Sequence, residues 1–127
     1  MLENTKAFSG FSTNDVPAAA KFYGETLGLN TEEQDGVLSL HLAGDYDVLV
    51  YPKGDQHEPA TFTVLNFQVS DVAGTVAKLR ERGVEFERYE GTPIETDEDG
   101  VFRGEGPLIA WFKDPAGNVL SVIDENA

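Results

Sequence analysis

Apolar residues in the first half of the chain recur with two spacings, one typical of a helix and the other of strands. The helical spacing begins after Asn14 and Asp15, two residue types that favour the N-cap position, and it ends at Gly28. The residues at helical spacing are Val16, Ala19, Ala20, Tyr23 and Leu27. The predicted elements are a strand at 6–12, a helix at 15–26, and strands at 29–33, 37–43 and 46–51.

The same order of elements returns in the second half of the chain. The segments 11–16 and 67–72 match in phase at an offset of 56 residues, and Asp15 and Asp71 take equivalent positions in front of a helix. The predicted elements are strands at 61–69, 84–88, 107–113 and 118–124, a helix at 71–82, and an acidic loop at 89–106. Asp114 and Pro115 open a tight turn between the last two strands.

The repeat predicts the fold class. Each half is a βαβββ module, one at 6–52 and the other at 61–124, and the polar linker 53–60 joins them into a single domain over 1–127. One module cannot bury both faces of its own sheet. We therefore expect an α+β fold in which paired modules form a curved mixed sheet, with helices on one face and a concave trough on the other.

Composition narrows the classes of partner. Asp and Glu number 23 against 9 Lys and Arg, which gives a net charge of −14, and a surface of this sign repels nucleic acid and favours cationic small molecules. The chain has no cysteine and no apolar run long enough to span a membrane, and its first residues lack the apolar segment of a secretory signal. We expect a cytoplasmic protein that binds neither nucleic acid nor membranes.

Several short segments resemble the vicinal oxygen chelate superfamily, which includes glyoxalase I, extradiol dioxygenases, and fosfomycin and bleomycin resistance proteins. The similar residues are Asp15-Val16, Phe22-Tyr23, Leu27-Gly28-Leu29, Asp71-Val72 and the closing segment 109–118, IAWFKDPAGN. The resemblance extends over residues 6–124. It implies paired βαβββ modules, in agreement with the repeat, and a homodimer.

The resemblance also implies four positions for ligands of a divalent metal, which catalytic members fill mostly with His and Glu. In this chain the four positions are Phe8, Val50, Val64 and Ser121, and the residues on either side of each contain no His, Asp or Glu. We therefore expect no metal and no cofactor. This departure argues against glyoxalase, dioxygenase and fosfomycin-transferase chemistry.

Strand alternation predicts which residues line the trough. The candidate ligand-binding residues are Phe8, Ser12, Asn66, Gln68, Ile109, Trp111 and Ser121. Such a lining is apolar with a few amides and hydroxyls, as small-molecule sites generally are. Trp111, the only tryptophan, would provide a stacking surface, and the alternative is that it simply fills the core.

The remaining chemistry-bearing residues give weaker signals. His57 lies in the polar linker and is expected to be solvated, whereas the face that His41 occupies on its strand stays open. The segment 85–105 holds eight acids, Glu105 included, against two arginines, and such a loop either covers a site or is simply solvated.

Three functions remain open. The first is a metal-free binding protein that sequesters a cationic or aromatic compound, as bleomycin resistance proteins do in the family that the chain resembles. The second is a glyoxalase-like lyase or isomerase, or a dioxygenase-type enzyme, with an atypical site that is either metal-independent or uses His41 together with acids. The third is an interaction module without a ligand, against which the polar residues Asn66, Gln68 and Ser121 argue.

Overall fold

The computed structural model describes residues 1–104 and 107–126, and the chain divides into two compact units, Met1–Glu58 and Pro59–Ala127. The division falls inside the predicted linker 53–60. Most of the linker belongs to the first unit, where Gly54–Gln56 forms a single 3₁₀ turn and the Lys53 amide donates to the Thr13 carbonyl at 2.9 Å. Each unit has its own helix and its own four-stranded sheet.

The first unit follows the predicted order of strand, helix and three strands. Its elements are β1 Ser9–Thr13, α1 Val16–Lys21, a π-helical turn Phe22–Thr26, β2 Asn30–Gln34, β3 Val37–Leu42 and β4 Tyr46–Pro52. The strand order is β1-β4-β3-β2, with β1 parallel to β4 and the other pairs antiparallel. The predicted helix at 15–26 is therefore confirmed, with its second half wound as a π-helix.

A helix cap and the burial of one sheet face explain where α1 begins and how it packs in this unit. The Asp15 carboxylate accepts a hydrogen bond from the Ala18 amide at 3.1 Å, so it satisfies one of the free amides at the start of α1. The sheet residues that pack beneath α1 alternate along their strands and are almost fully buried, as expected for a sheet with one covered face. They are Leu38, Leu40, Val48 and Val50. Tyr23, in the π-helical turn, is also fully buried.

The second unit has the same element order. Its elements are β5 Thr63–Val69, α2 Val72–Glu81, β6 Val101–Phe102, β7 Ile109–Lys113 and β8 Val119–Asp124. The strand order is β5-β8-β7-β6, again with one parallel pair, β5 with β8. The helix α2 packs against β7 and β8, and its side of the sheet is formed by buried side chains such as Ala110, Phe112 and Leu120. The predicted α+β class with two βαβββ modules is confirmed.

The second strand of this module was predicted at the wrong place. Residues 84–88 make only one bridge to β7, between Phe86 and Phe112, and the sheet is completed instead by β6, from the predicted loop. Tyr89 has a φ of 49°, which turns the chain away from the sheet directly after this segment. The outer edge of β7 is therefore shared by two short segments, with residues 86–87 towards its end and Val101–Phe102 towards its start.

The first predicted strand also begins later than expected. β1 starts at Ser9, so Phe8 lies outside it and is 65% exposed. Val64 lies where the pairing of β5 with β8 shifts by one residue, a β-bulge. Glu105, counted in the acidic loop, lies outside the described residues.

Candidate functional site

The open face of the second sheet carries a row of three residues on adjacent strands. Backbone pairing sets Asn66 of β5 beside Ser121 of β8, and Ser121 beside Trp111 of β7. Their neighbours Leu120 and Phe112 are fully buried on the face that α2 covers. Because successive side chains of a strand point to opposite faces, the row lies on the face away from the helix.

Trp111 is half-buried and belongs to an aromatic cluster. The Tyr89 ring meets it edge-on, with ring centres 5.4 Å apart, and the Phe102 ring lies tilted at 6.2 Å. These separations are typical of stabilising aromatic pairs. Sequence patterning missed Tyr89 and Phe102, although aromatic residues inside a polar, acidic segment were a usable signal.

The backbone conformation of Tyr89 directs its ring towards Trp111. Its positive φ is uncommon for a bulky residue and costs about 1–2 kcal/mol, so the surrounding contacts must enforce it. Thr96, which is buried, supplies such contacts, because its hydroxyl lies 2.8 Å from the Glu87 carbonyl and 2.9 Å from the Arg88 carbonyl. The pKa of Tyr89 is raised, mainly by partial burial and then by the negative charge of Glu87.

Ser121 is fully buried and donates its hydroxyl hydrogen to Oδ1 of Asn66 at 2.6 Å. This bond gives the buried hydroxyl a partner and fixes the amide of the exposed Asn66. At the far end of β7, Nζ of Lys113 lies 3.1 Å from a Glu87 carboxylate oxygen. This face therefore carries the aromatic cluster around Trp111, with the Asn66 amide on one side and the Lys113–Glu87 ion pair on another.

The open face of the first sheet carries a serine–histidine pair. Oγ of Ser12 lies 2.7 Å from Nδ1 of His57, and the imidazole is half-buried. The expectation that His57 is merely solvated is wrong, because the 3₁₀ turn of the linker returns the chain to β1. The ring of Tyr51, which pairs with Ser12 in register, lies beside Gly10 on the same face.

His41 lies at an exposed position of β3 and alternates with the buried Leu38 and Leu40, so its side chain is on the face of the first sheet away from α1. Its Nδ1 lies 2.8 Å from an Asp47 oxygen and its Nε2 lies 3.3 Å from a Glu32 oxygen, so the imidazole bridges acids on both neighbouring strands. These hydrogen bonds, that of Asp47 first, raise the pKa of His41 above its ordinary value of 6.5. Both ring nitrogens are used in opposite directions, so the three side chains do not converge on one point.

Two more of the predicted site residues, Gln68 and Ile109, lie on the same face of the second sheet beside the central row. Gln68 and Ile109 both flank Ile123 in register, Gln68 being exposed and Ile109 half-buried. Asn66, Ser121, Trp111, Gln68 and Ile109 therefore share one sheet, and Ser12 lies on the sheet of the other unit.

Sequence comparison identifies the family. Residues 9–122 match the sequence profile described as "Glyoxalase/Bleomycin resistance protein/Dioxygenase superfamily". The chain belongs to this superfamily. A search of curated protein sequences finds no significant match.

Solved structures of superfamily proteins resemble the chain over nearly its whole length. A glyoxalase family protein from Enterococcus faecalis is 22% identical with a TM-score of 0.69, and covers 98% of this chain and 100% of its own. TnmS3, an antibiotic binding protein from Streptomyces sp. CB03234, is 24% identical with a TM-score of 0.65, at coverages of 95% and 97%. A lactoylglutathione lyase from Agrobacterium tumefaciens is 17% identical with a TM-score of 0.66, at 97% and 95%. A binding protein and an enzyme have nearly the same TM-score, and all three proteins are less than 25% identical to this chain, so these likenesses show the fold alone.

The four positions that the family resemblance implies for metal ligands do not fit a metal here. Phe8 and Val64 offer only hydrocarbon, and the hydroxyl of Ser121 is bonded to Asn66. The placement of the second position at Val50 is wrong for a ligand, because this side chain is fully buried in the core and the open face of β4 carries Leu49 and Tyr51 instead. Within residues 1–104 and 107–126, no three His, Asp or Glu side chains are grouped to hold a metal ion.

Among the residues that the structure describes, no helix combines the length and the apolar character needed to cross a membrane.

Proposed function

We propose that the protein binds a flat aromatic small molecule, preferably a cationic one, on the open face of the second sheet, without a metal or other cofactor. The observation that carries the proposal is the half-buried Trp111 ring, flanked by Tyr89 and Phe102 in a row with the Asn66–Ser121 pair. Aromatic side chains bordered by a few precisely placed polar groups are the usual lining of a small-molecule site.

The charge of the protein supports a cationic ligand. The net charge of −14 attracts cations from solution, and the face of an indole ring attracts them again at short range. Stacking and cation–π contact together contribute about 1–2 kcal/mol, so removal of the ring should weaken binding roughly 5- to 30-fold. Sequestration of such a compound would be the biological role, and we place it in the cytoplasm.

The single-domain arrangement of 1–127 is part of the proposal, as is a homodimer. A dimer would cover sheet edges and apolar side chains such as Phe8 and Phe62, which are 65% and 69% exposed. Light scattering at micromolar concentration should give twice the chain mass of 13.8 kDa. A mass of 13.8 kDa at all concentrations would contradict the dimer and leave the ligand site unaffected.

The experiment compares 9-aminoacridine, which is cationic at pH 8, with acridine, which is neutral there. Quenching of Trp111, the only tryptophan, reports binding to the wild type, and calorimetry gives the affinities of Trp111→Ala and Trp111→Phe. We expect tighter binding of the cation, weakening with added salt, a large loss in Trp111→Ala and a smaller one in Trp111→Phe. Unchanged affinity in Trp111→Ala would refute the proposed site.

A second function is favoured by the Ser12–His57 pair. A half-buried imidazole whose Nδ1 lies 2.7 Å from a hydroxyl could act as a metal-independent base in a lyase or isomerase reaction. The test is formation or consumption of S-lactoylglutathione by protein treated with a chelator, with His57→Ala as the variant. Turnover that His57→Ala abolishes would favour the enzyme, and no turnover would leave the binding function.

A further inference from the structure

We infer that the ligand of the aromatic site carries an ammonium group, which the Glu87 carboxylate binds in competition with the side chain of Lys113. The inference rests on the proposed function and specifies the chemical class of its ligand, an amine joined to a flat aromatic ring. It follows from the register at the outer edge of β7 and from the charges that this register brings beside Trp111.

The register places Glu87 directly beside Trp111. Phe86 pairs with Phe112 in an antiparallel bridge, and the amide of the next residue, Glu87, donates to the Trp111 carbonyl at 2.8 Å. Phe86 and Phe112 are both buried, and their ring centres lie 5.4 Å apart on the face that α2 covers. Because successive side chains point to opposite faces, Glu87 and Trp111 are neighbours on the open face.

The ion pair with Lys113 shows what this carboxylate accepts. Nζ of Lys113 lies 3.1 Å from Oε1 of Glu87, the distance of a hydrogen-bonded ammonium, and the two side chains are 51% and 29% exposed. After partial burial, the negative charge of Glu87 raises the pKa of Tyr89, and Lys113 lowers it, so both charges lie near the aromatic cluster. A ligand ammonium beside Trp111 therefore finds a carboxylate that already holds one.

Lys113 has a second acid to which it can turn. The same register sets the exposed Glu85 opposite Lys113, again on the open face. Within residues 1–104 and 107–126, Glu85 forms no ion pair, and the cation of that segment, Arg88, lies 3.9 Å from Glu90 instead. Two carboxylates thus share one lysine. When a ligand ammonium binds Glu87, Lys113 can move to Glu85, and both carboxylates then have a cation.

The closeness of Glu87 to Trp111 limits the ligand further. Side chains opposite each other on adjacent strands have Cβ atoms about 4.5–5.5 Å apart, so a linker of about one or two carbon atoms between ring and amine spans the gap. The ligand class is therefore an arylmethyl- or arylethylammonium compound.

The test compares 1-naphthylmethylamine, a cation at pH 7, with 1-naphthalenemethanol, which has a similar shape and no charge. NMR titration at fixed ionic strength gives both affinities for the wild type, Glu87→Gln, Lys113→Met and Trp111→Ala. Two controls remove the same charges elsewhere, Glu90→Gln in the same segment and Lys78→Met at an exposed position of α2. Urea unfolding and circular dichroism verify that each variant is folded.

The wild type should prefer the amine by about three- to tenfold, the effect of one charge-assisted hydrogen bond at a partly exposed site. Glu87→Gln should remove this preference, and Glu90→Gln should keep it. Lys113→Met should bind the amine about two- to fivefold more tightly and the alcohol equally, because the competing ammonium is gone. Lys78→Met should have a much smaller effect, and Trp111→Ala should weaken both probes.

An unchanged preference in Glu87→Gln, or equal binding of the two probes by the wild type, would overturn the inference and leave the proposed aromatic site standing. Amine binding that Lys113→Met leaves unchanged or weakens would overturn the competition. A gain in Lys78→Met as large as that in Lys113→Met would do the same, since it would reflect net charge alone. Failure of both probes to bind would overturn the proposed function and this inference together.

Discussion

Gly100 is the position at which the aromatic site should be most sensitive to a single methyl group. It lies one residue before β6, with a φ of 84°, and β6 carries the Phe102 ring that contacts Trp111. A Cβ atom added at Gly100 would lie 2.8 Å from Cβ of Phe86, a buried core residue. Gly100→Ala therefore combines backbone strain with overpacking.

The two costs are separable because Gly91, in the same loop, has a φ of 76° but no atom within 4 Å of an added Cβ. Left-handed backbone costs a non-glycine residue about 1–2 kcal/mol, and overpacking of a core costs about 1–3 kcal/mol. Gly91→Ala should thus lose about 1–2 kcal/mol of unfolding free energy, and Gly100→Ala about 2–5 kcal/mol. For a chain of this size the second loss lowers Tm by roughly 4 °C per kcal/mol.

Thermal and urea unfolding, followed by the fluorescence of Trp111, measure both variants in the unit that contains them. Gly100→Ala should also weaken the aromatic ligand, since displacement of β6 moves Phe102 away from Trp111, and Gly91→Ala should not. Equal losses of stability in the two variants would show that strain accounts for the whole effect. That result would refute the prediction that a methyl group at Gly100 overpacks the core against Phe86.

Three further predictions concern polar groups. Asn118→Ala removes a buried amide that bonds on both sides and should cost about 2–3 kcal/mol in urea unfolding, whereas Asn126→Ala, at an exposed position, should cost almost nothing. The hydrogen bonds of His41 to Asp47 and Glu32 raise its pKa in the folded protein. Protonated His41 therefore stabilises the fold fully below pH 6.5, and this contribution is lost as the pH rises through the folded pKa. NMR titration should therefore show a lower pKa in Asp47→Asn. The pKa of Asp97 is lowered, because hydrogen bonds to its carboxylate outweigh desolvation, so its contribution is lost as pH falls below 3.8 through the folded value. In Asp97→Asn the free energy of unfolding should therefore fall less steeply as the pH is lowered below 3.8, as measured by urea unfolding at a series of pH values.

The sequence signals that succeeded were local ones. The carboxylates of Asp15 and Asp71 cap their helices through the Ala18 and Gly74 amides, as their residue types predict. The fold class followed from a repeat of such local signals, because two helices with the same caps and the same flanking strands constrain the topology strongly. Apart from the strand predicted at 84–88, which β6 replaces, the elements differ from prediction mainly at their ends, where pairing between strands competes with local preference.

The signals that failed depend on contacts between distant parts of the chain. Val84 and Phe86 have the alternation of a strand, but the edge of β7 is also contacted by β6, which a turn at Asp97 brings back. The turn itself is local, since the Asp97 carboxylate accepts from the amides of Asp99 and Val101 as Asp residues in turns commonly do, but the pairing of β6 with β7 is not.

The candidate site was partly accessible to sequence reasoning. Alternation placed Trp111 on the same face as Ser121, because both belong to regular strands. It could not supply Tyr89, whose orientation depends on a positive φ, or the partner of His57, which is Ser12 from 45 positions earlier in the chain. Contacts of this kind arise from irregular backbone, for which no periodic signal exists.

Ser121 combines a fully buried hydroxyl with a place in a regular strand. The family resemblance implies a metal-ligand position here, whereas the hydroxyl of Ser121 donates to Asn66 and lies beside Trp111. A hydroxyl has no charge to attract a cation, but it can orient a neighbouring amide. The pairing of β8 does not depend on the side chain at this position, because Leu120 and Val122 fix the strand from its other, buried face. A polar side chain at position 121 can therefore orient a neighbouring amide beside an aromatic ring while the register of the sheet is set elsewhere.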